Sequence, residues 1–168
     1  MRIVWARREH MFTVVGMDDY WQGEDNSADT SRWNPGYAVK YLTDEERAGC
    51  ALSVKDGLIY DASGKLFDTS DANTIQSGES RAIFVMMADG SIYSSKTHLP
   101  RMFHHSSLAA GGPVASAGEM IVIRGRLQVI SNDSGHYRPS PTLNRQVVKE
   151  LEARGVDFAE VRIEEIRC

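Results

Sequence analysis

The stretch from Phe103 to Pro139, FHHSSLAAGGPVASAGEMIVIRGRLQVISNDSGHYRP, opens and closes on side chains that can do chemistry. At its head His104 and His105 adjoin Ser106 and Ser107; at its tail Ser134, Gly135, His136 and Tyr137 complete a turn-like Ser-Asn-Asp-Ser run. A serine hydroxyl becomes a nucleophile when an imidazole takes its proton. In an extended segment, however, His105 shares a face with Ser107 and His104 with Ser106. No G-x-S-x-G elbow occurs, so the competing reading is serines that bond the backbone at a strand end. His104, His105 and His136 could converge on a metal, but neither H-E-x-x-H nor Cys-x-x-Cys spacing is present, and His10 and His98 stand alone; no metal is expected. His136 could orient a substrate or pass a proton, with Tyr137 stacked on a planar ring. Equally, Tyr137 could be buried, with its hydroxyl and its neighbouring histidine satisfying loop carbonyls. Gly111, Gly112 and Gly118 spell no phosphate loop and read as a bend that lets two strands approach.

These clusters need elements to hold them. Asp56-Gly57 between ALSV and LIY, Asp89-Gly90 between AIFVMM and SIYSS, and Arg124-Gly125 between MIVI and RLQVI predict three hairpins, since tight turns favour such pairs. The third hairpin joins the two clusters. Arg2 to Trp5 and Met11 to Val15 read as short strands, and Asp18 to Pro35 as a loop that docks Tyr20, Trp21 and Trp33 onto the body. Trp21 and Trp33 read as packing residues. Asn34-Pro35 could open a helix with Tyr37, Val39, Tyr41 and Leu42 on its apolar face. Thr43 and Glu46 form a capping box for a short helix ending at Gly49. Phe67 to Ser80 reads as a surface loop. Ser140-Pro141 caps a C-terminal helix whose Leu143, Val147, Val148 and Leu151 share a face, and Gly155 ends it. A last strand, Ala159 to Ile166, would turn Val161 and Ile163 inward and leave Glu160, Glu164 and Glu165 solvated. The expected fold is one α+β domain, 1–168, with a mostly antiparallel hairpin-rich sheet, a C-terminal helix and one or two short N-terminal helices.

A chain of 168 residues with 42% apolar content can bury its own core. Its net charge of -4, from 19 basic and 23 acidic residues, gives no broad basic surface for nucleic acid. Cys50 and Cys168 form no framework, and no run reaches the ~20 apolar residues of a membrane span, so no membrane partner is expected. The MRIVWARREHMF start lacks the apolar core of a secretory signal. The expected location is cytoplasmic, or a target-cell cytoplasm reached by signals outside this chain.

HSSxxxGGxxxxAG from His105 to Gly118, followed by SGHYxP from Ser134 to Pro139, resembles the domain of the plant IQ-motif-containing calmodulin-binding proteins, the IQM family, and its microbial relatives. The resemblance extends upstream through Tyr41-Leu42 with Glu46-Arg47, Asp56-Gly57, Asp68-Thr69, and Ile83 to Met86 leading to Ile92-Tyr93. It implies that His105, Ser106, Ser107, Ser134, Gly135, His136 and Tyr137 gather at one end of the sheet. The sequence has no IQxxxRGxxxR pattern, so calmodulin is not expected as a partner. Glu119 also stands where the plant proteins are expected to carry a basic residue.

Two function classes follow. In the first, the chain is an effector- or toxin-like transferase, an ADP-ribosyltransferase with NAD as substrate and a protein target or an immunity or host factor as partner. His105 would then hold a ribose, Tyr137 stack on nicotinamide, and Glu119 or a C-terminal Glu stabilise the oxocarbenium-like transition state. His104, Ser106, Ser107, Ser134, Gly135 and His136 would line the substrate. In the second, the same cleft binds a peptide or small molecule without turnover. A third reading makes both clusters a hydrogen-bond lock between hairpins.

Overall fold

The structure, a computed structural model, describes residues 11–26, 38–75 and 78–167. A hairpin of β1 (Ser53–Lys55) and β2 (Leu58–Tyr60) precedes a two-residue ribbon of β3 (Asn73–Thr74) and β4 (Gly78–Glu79). The central sheet comprises β5 (Ala82–Met86), β6 (Ile92–Ser95), β7 (Ser116–Ile123), β8 (Arg126–Ser131) and β9 (Arg162–Glu164), in the order β6-β5-β7-β8-β9. All its pairings are antiparallel except β8 with β9. The helices are α1 (Asp44–Ala48), α2 (His105–Ala109) and α3 (Pro141–Ala153). This is the expected α+β architecture.

Local chemistry accounts for the turns and caps. Asp56 and Gly57 take φ of 54° and 75°, and Arg124 and Gly125 take 49° and 79°, the left-handed pairs that a twisted two-residue hairpin turn requires. Around Asp89 the loop is a residue longer: Met87 bonds Ser91 and only Gly90 has positive φ. The Thr43 hydroxyl accepts from the Glu46 amide at 3.2 Å while the Glu46 carboxylate receives the Thr43 amide, so α1 begins on its predicted box. Ser140 accepts from Leu143 N–H at 3.1 Å and Pro141 opens α3.

The sheet is covered on both sides, which is why β5 is buried at all five positions. On one face Phe84, Met86, Met120, Val122 and Ile130 pack with Val147, Val148 and Leu151 of α3, and with Ile59 and Phe67. On the other, Ile83, Val85 and Ala117 pack with Leu108 and Ala109 of α2, Leu42 and Tyr137. Each such fully buried aliphatic or aromatic side chain stabilises by about 1.5–3 kcal/mol.

Several local expectations give way to tertiary contacts. Arg2 to Trp5, Trp33 and Asn34 to Tyr37 lie outside the described residues. Met11 to Val15 forms no strand, making a single bridge from Val15 to Val114, and residues 38–43 are non-helical. Phe67 to Ser80 is not a surface loop: Phe67, Thr69 and Ala72 are buried. Thr69 exchanges backbone and hydroxyl bonds with Val122 beside the irregularity at Ile121/Val122. The last strand is short, parallel and peripheral, leaving Ile163 exposed, while Glu164 is ion-paired to Arg81 at 2.6 Å. No helix among the described residues is long and apolar enough to cross a membrane.

Candidate functional site: a buried stack of imidazoles

The segment His105–Ala109 is helical, not extended. His104 is the N-cap of α2, and its amide donates to Ser107 Oγ at 3.0 Å. The face-sharing expected of a strand is therefore lost, and Ser107 serves the helix start. Ala110 and Gly111 end the helix with φ of 49° and 72°. Ser106 Oγ is buried with no hydrogen-bond partner among the described residues, so no base activates it.

His105 points into the protein, where Nε2 donates to the Gly118 carbonyl at 2.7 Å. Gly118 is required there: a Cβ at this position would lie 1.8 Å from the Ser131 carbonyl oxygen. β7 and β8 do approach closely, as the sequence predicts, but Gly118 lies within a strand and not in a bend. Burial above all pushes the His105 imidazole down to about 3, so it is a neutral structural donor.

The two clusters meet through His104 and His136, whose rings stack at 4.6 Å. Trp21, at the end of the 3-10 turn Asp19–Trp21, stacks on His136 at 4.3 Å and 18°, so the imidazole is held between two rings. His136 Nε2 meets Glu24 Oε2 at 2.6 Å, and the Tyr41 hydroxyl donates to Glu24 Oε1 at 3.1 Å. Burial, then the Glu24 charge, raises the Tyr41 phenol, which stays protonated. Tyr137 is buried too: its hydroxyl donates to the Gly112 carbonyl at 2.7 Å, and burial raises its pKa. Ser134 accepts the Tyr137 and Arg138 amides through Oγ and its carbonyl, while Gly135 lies in the same turn.

His98, which the sequence leaves isolated, completes the cluster. Its ring meets His104 edge-on at 5.3 Å and His105 at 5.9 Å. Burial holds both His98 and His104 near 4 and hence neutral. Their hydrogen atoms can be placed. His98 Nδ1 accepts from Ile75 N–H at 3.2 Å, and His104 Nε2 accepts from Arg101 N–H at 3.1 Å. A neutral imidazole has one N–H, so His98 Nε2 and His104 Nδ1 must both be protonated, and they face each other at 3.3 Å. Neither can donate to the other. No group of three or more potential metal ligands forms among the described residues.

The three residues expected from sequence as a catalytic trio are all buried. Glu119 is fully buried in β7 opposite Ile83, its amide bonded to Ser131 Oγ, while His105 and Tyr137 are each committed to a backbone carbonyl. Sequence reasoning missed His98, Glu24 and Tyr41. Glu24 lies 112 positions from His136 in an irregular segment, where no periodicity marks it.

Fold and cluster together define an α+β domain built round an internal ring stack. Residues 46–143 match the family model described as IQ motif-containing protein middle domain, and the chain belongs to that family. It is 33% identical over 126 residues to the IQ domain-containing protein IQM2 of Arabidopsis thaliana, covering 74% of this chain and 20% of the relative. To IQM4 of the same plant it is 32% identical, covering 74% of this chain and 22% of that protein. To IQM3 it is 37% identical over 103 residues, 61% of this chain and 22% of the relative. The chain therefore spans about a fifth of the length of these relatives. No solved structure matches.

These matches overturn the toxin, effector and ADP-ribosyltransferase expectation, because the relatives are IQ domain-containing proteins. They also conflict with setting calmodulin aside, since the relatives are named for an IQ domain; the motif itself is still absent from this sequence.

Proposed function

We propose that this chain is a non-catalytic binding module that takes an oxygen acceptor of a peptide or small molecule at the His98–His104 pair. One observation carries the reading: with their other nitrogens accepting from the Ile75 and Arg101 amides, His98 Nε2 and His104 Nδ1 both carry hydrogen and stand 3.3 Å apart, so neither accepts from the other. A buried donor without an acceptor costs about 1–3 kcal/mol, which a carbonyl or carboxylate oxygen reaching a ring nitrogen would recover as the 3.3 Å contact opens. The turn joining the two histidines exposes Leu99 and Met102, 45% and 49% accessible, as apolar contact surface beside the polar pair. Commitment of His105 and Tyr137 to backbone carbonyls also favours binding over turnover.

Nitrogen-15 NMR of the imidazoles tests the arrangement, with titration by a panel of short peptides, NAD, and calmodulin with and without calcium. Calmodulin belongs in the panel on the strength of the relatives' names alone. The expected result is Nδ1–H on His104, Nε2–H on His98, and a ligand that perturbs both rings and binds more weakly to His104→Asn or Met102→Glu. Nε2–H on His104 in the free protein would sink the proposal, since the pair would then satisfy itself. Release of nicotinamide from NAD would refute the non-catalytic reading.

A further inference from the structure

Beyond the histidine cluster, the chain leaves the buried Tyr137 through the exposed Arg138 and enters a second feature. A cleft of about 530 Å³ lies between the start of α3 and the chain after β9, lined by Arg138, Thr142, Arg145, Ile166 and Arg167, with Ser140 and two prolines. No carboxylate residue is in that lining. Buried Asn132 pins its walls: Nδ2 donates to the Pro139 carbonyl at 2.9 Å and the Ile166 carbonyl at 2.8 Å, and Oδ1 accepts the Ile166 amide at 2.6 Å. Arg145 rests on Glu165 through Nε and Nη2, at 3.2 and 3.1 Å from Oε1. Arg138 and Arg167 have no ion pair among the described residues.

A chain of net charge -4 therefore lines one pinned cleft with three arginines. Guanidinium forks match phosphate oxygens two bonds at a time. The volume falls in the roughly 300–1,000 Å³ range of small-ligand sites. We infer that this cleft binds a phosphate monoester, with Arg138 and Arg167 as first contacts and Arg145 drawn from Glu165 as the ligand seats. The Arg145–Glu165 pair is partly exposed and so is readily exchanged for a ligand contact. The phosphate could be carried by a small metabolite or by a phosphorylated peptide. The site is separate from the His98–His104 pair and stands without it.

Calorimetric titration of the full chain tests this with inorganic phosphate, inositol hexakisphosphate, and a phosphoserine peptide beside its unphosphorylated form. Saturable one-to-one binding of at least one phosphorylated probe is expected, and none of the unphosphorylated peptide. Arg138→Gly should weaken it about tenfold, the loss of one charge-assisted contact. Glycine accepts the φ of 42° at this position, so the variant keeps its fold. Arg167→Gln should act alike, Glu165→Gln should tighten binding by freeing Arg145, and His104→Asn should change nothing. Binding of inositol hexakisphosphate alone supports a metabolite source, and of the phosphopeptide alone a protein source. Silence with every phosphorylated probe, or binding that survives Arg138→Gly with Arg167→Gln, overturns the inference.

Discussion

Replacing Gly118 with alanine is a direct test of how the cluster is built into the sheet. The added Cβ would sit 1.8 Å from the Ser131 carbonyl oxygen and 2.6 Å from its carbon, both backbone atoms that no rotamer change can move. Ordinary contact needs about 3.5 Å, so β7 and β8 must part locally by more than about 1 Å. Strain of this kind costs about 1–3 kcal/mol. The flanking ladder bonds, and the His105 bond to the Gly118 carbonyl, stretch past useful length at about 1 kcal/mol each. A total near 3–5 kcal/mol corresponds to a melting shift of about 6–20 °C, at roughly 2–4 °C per kcal/mol for this chain length. Calorimetry of Gly118→Ala beside Gly16→Ala measures it. Gly16 has nothing within 4 Å of a built Cβ, and its substitution should stay within about 0.5 kcal/mol. A Gly118→Ala protein melting within about 3 °C of the parent would refute the close approach on which this reasoning rests.

Three further outcomes follow from the buried groups. His105 is pushed down to about 3 and His98 and His104 to about 4, below the roughly 6.5 of an unfolded histidine, so the unfolded chain takes up protons first as pH falls. Stability present above about pH 6.5 is then lost progressively toward pH 4; the urea midpoint should drop between pH 7 and 4.5, with a shallower slope in His105→Gln, and a flat profile contradicts neutral buried imidazoles. Glu24→Ala strands His136 and Tyr41 together and should cost about 3–5 kcal/mol in urea unfolding, with Glu24→Gln milder because it still offers an oxygen to one partner. Tyr137→Phe removes one bond to the Gly112 carbonyl and should cost about 1–3 kcal/mol by thermal melting, while leaving the Trp21–His136–His104 stack visible in aromatic NMR contacts.

The amino-acid sequence by itself determines what is settled within a few residues. Asp56-Gly57 and Arg124-Gly125 need only their own backbone angles, and Thr43 with Glu46 or Ser140 with Pro141 need only one helical turn. The glycine-separated clusters and the hairpin joining them were legible for the same reason. The tertiary structure alone decided which groups those clusters meet. His105–Ala109 became a helix capped by His104 because one face packs on Ile83 and Val85, and that turned His105 inward to Gly118. Glu24, Trp21 and His98 reached the stack across separations of 112, 115 and 6 residues, two of them from irregular chain that carries no period to read. Glu119 was placed in the buried centre of the sheet by strand register, and β9 lies parallel because α3 returns the chain to the same end. A turn is fixed by the torsions of two residues, but a site made of distant side chains is fixed only when the whole core closes around it.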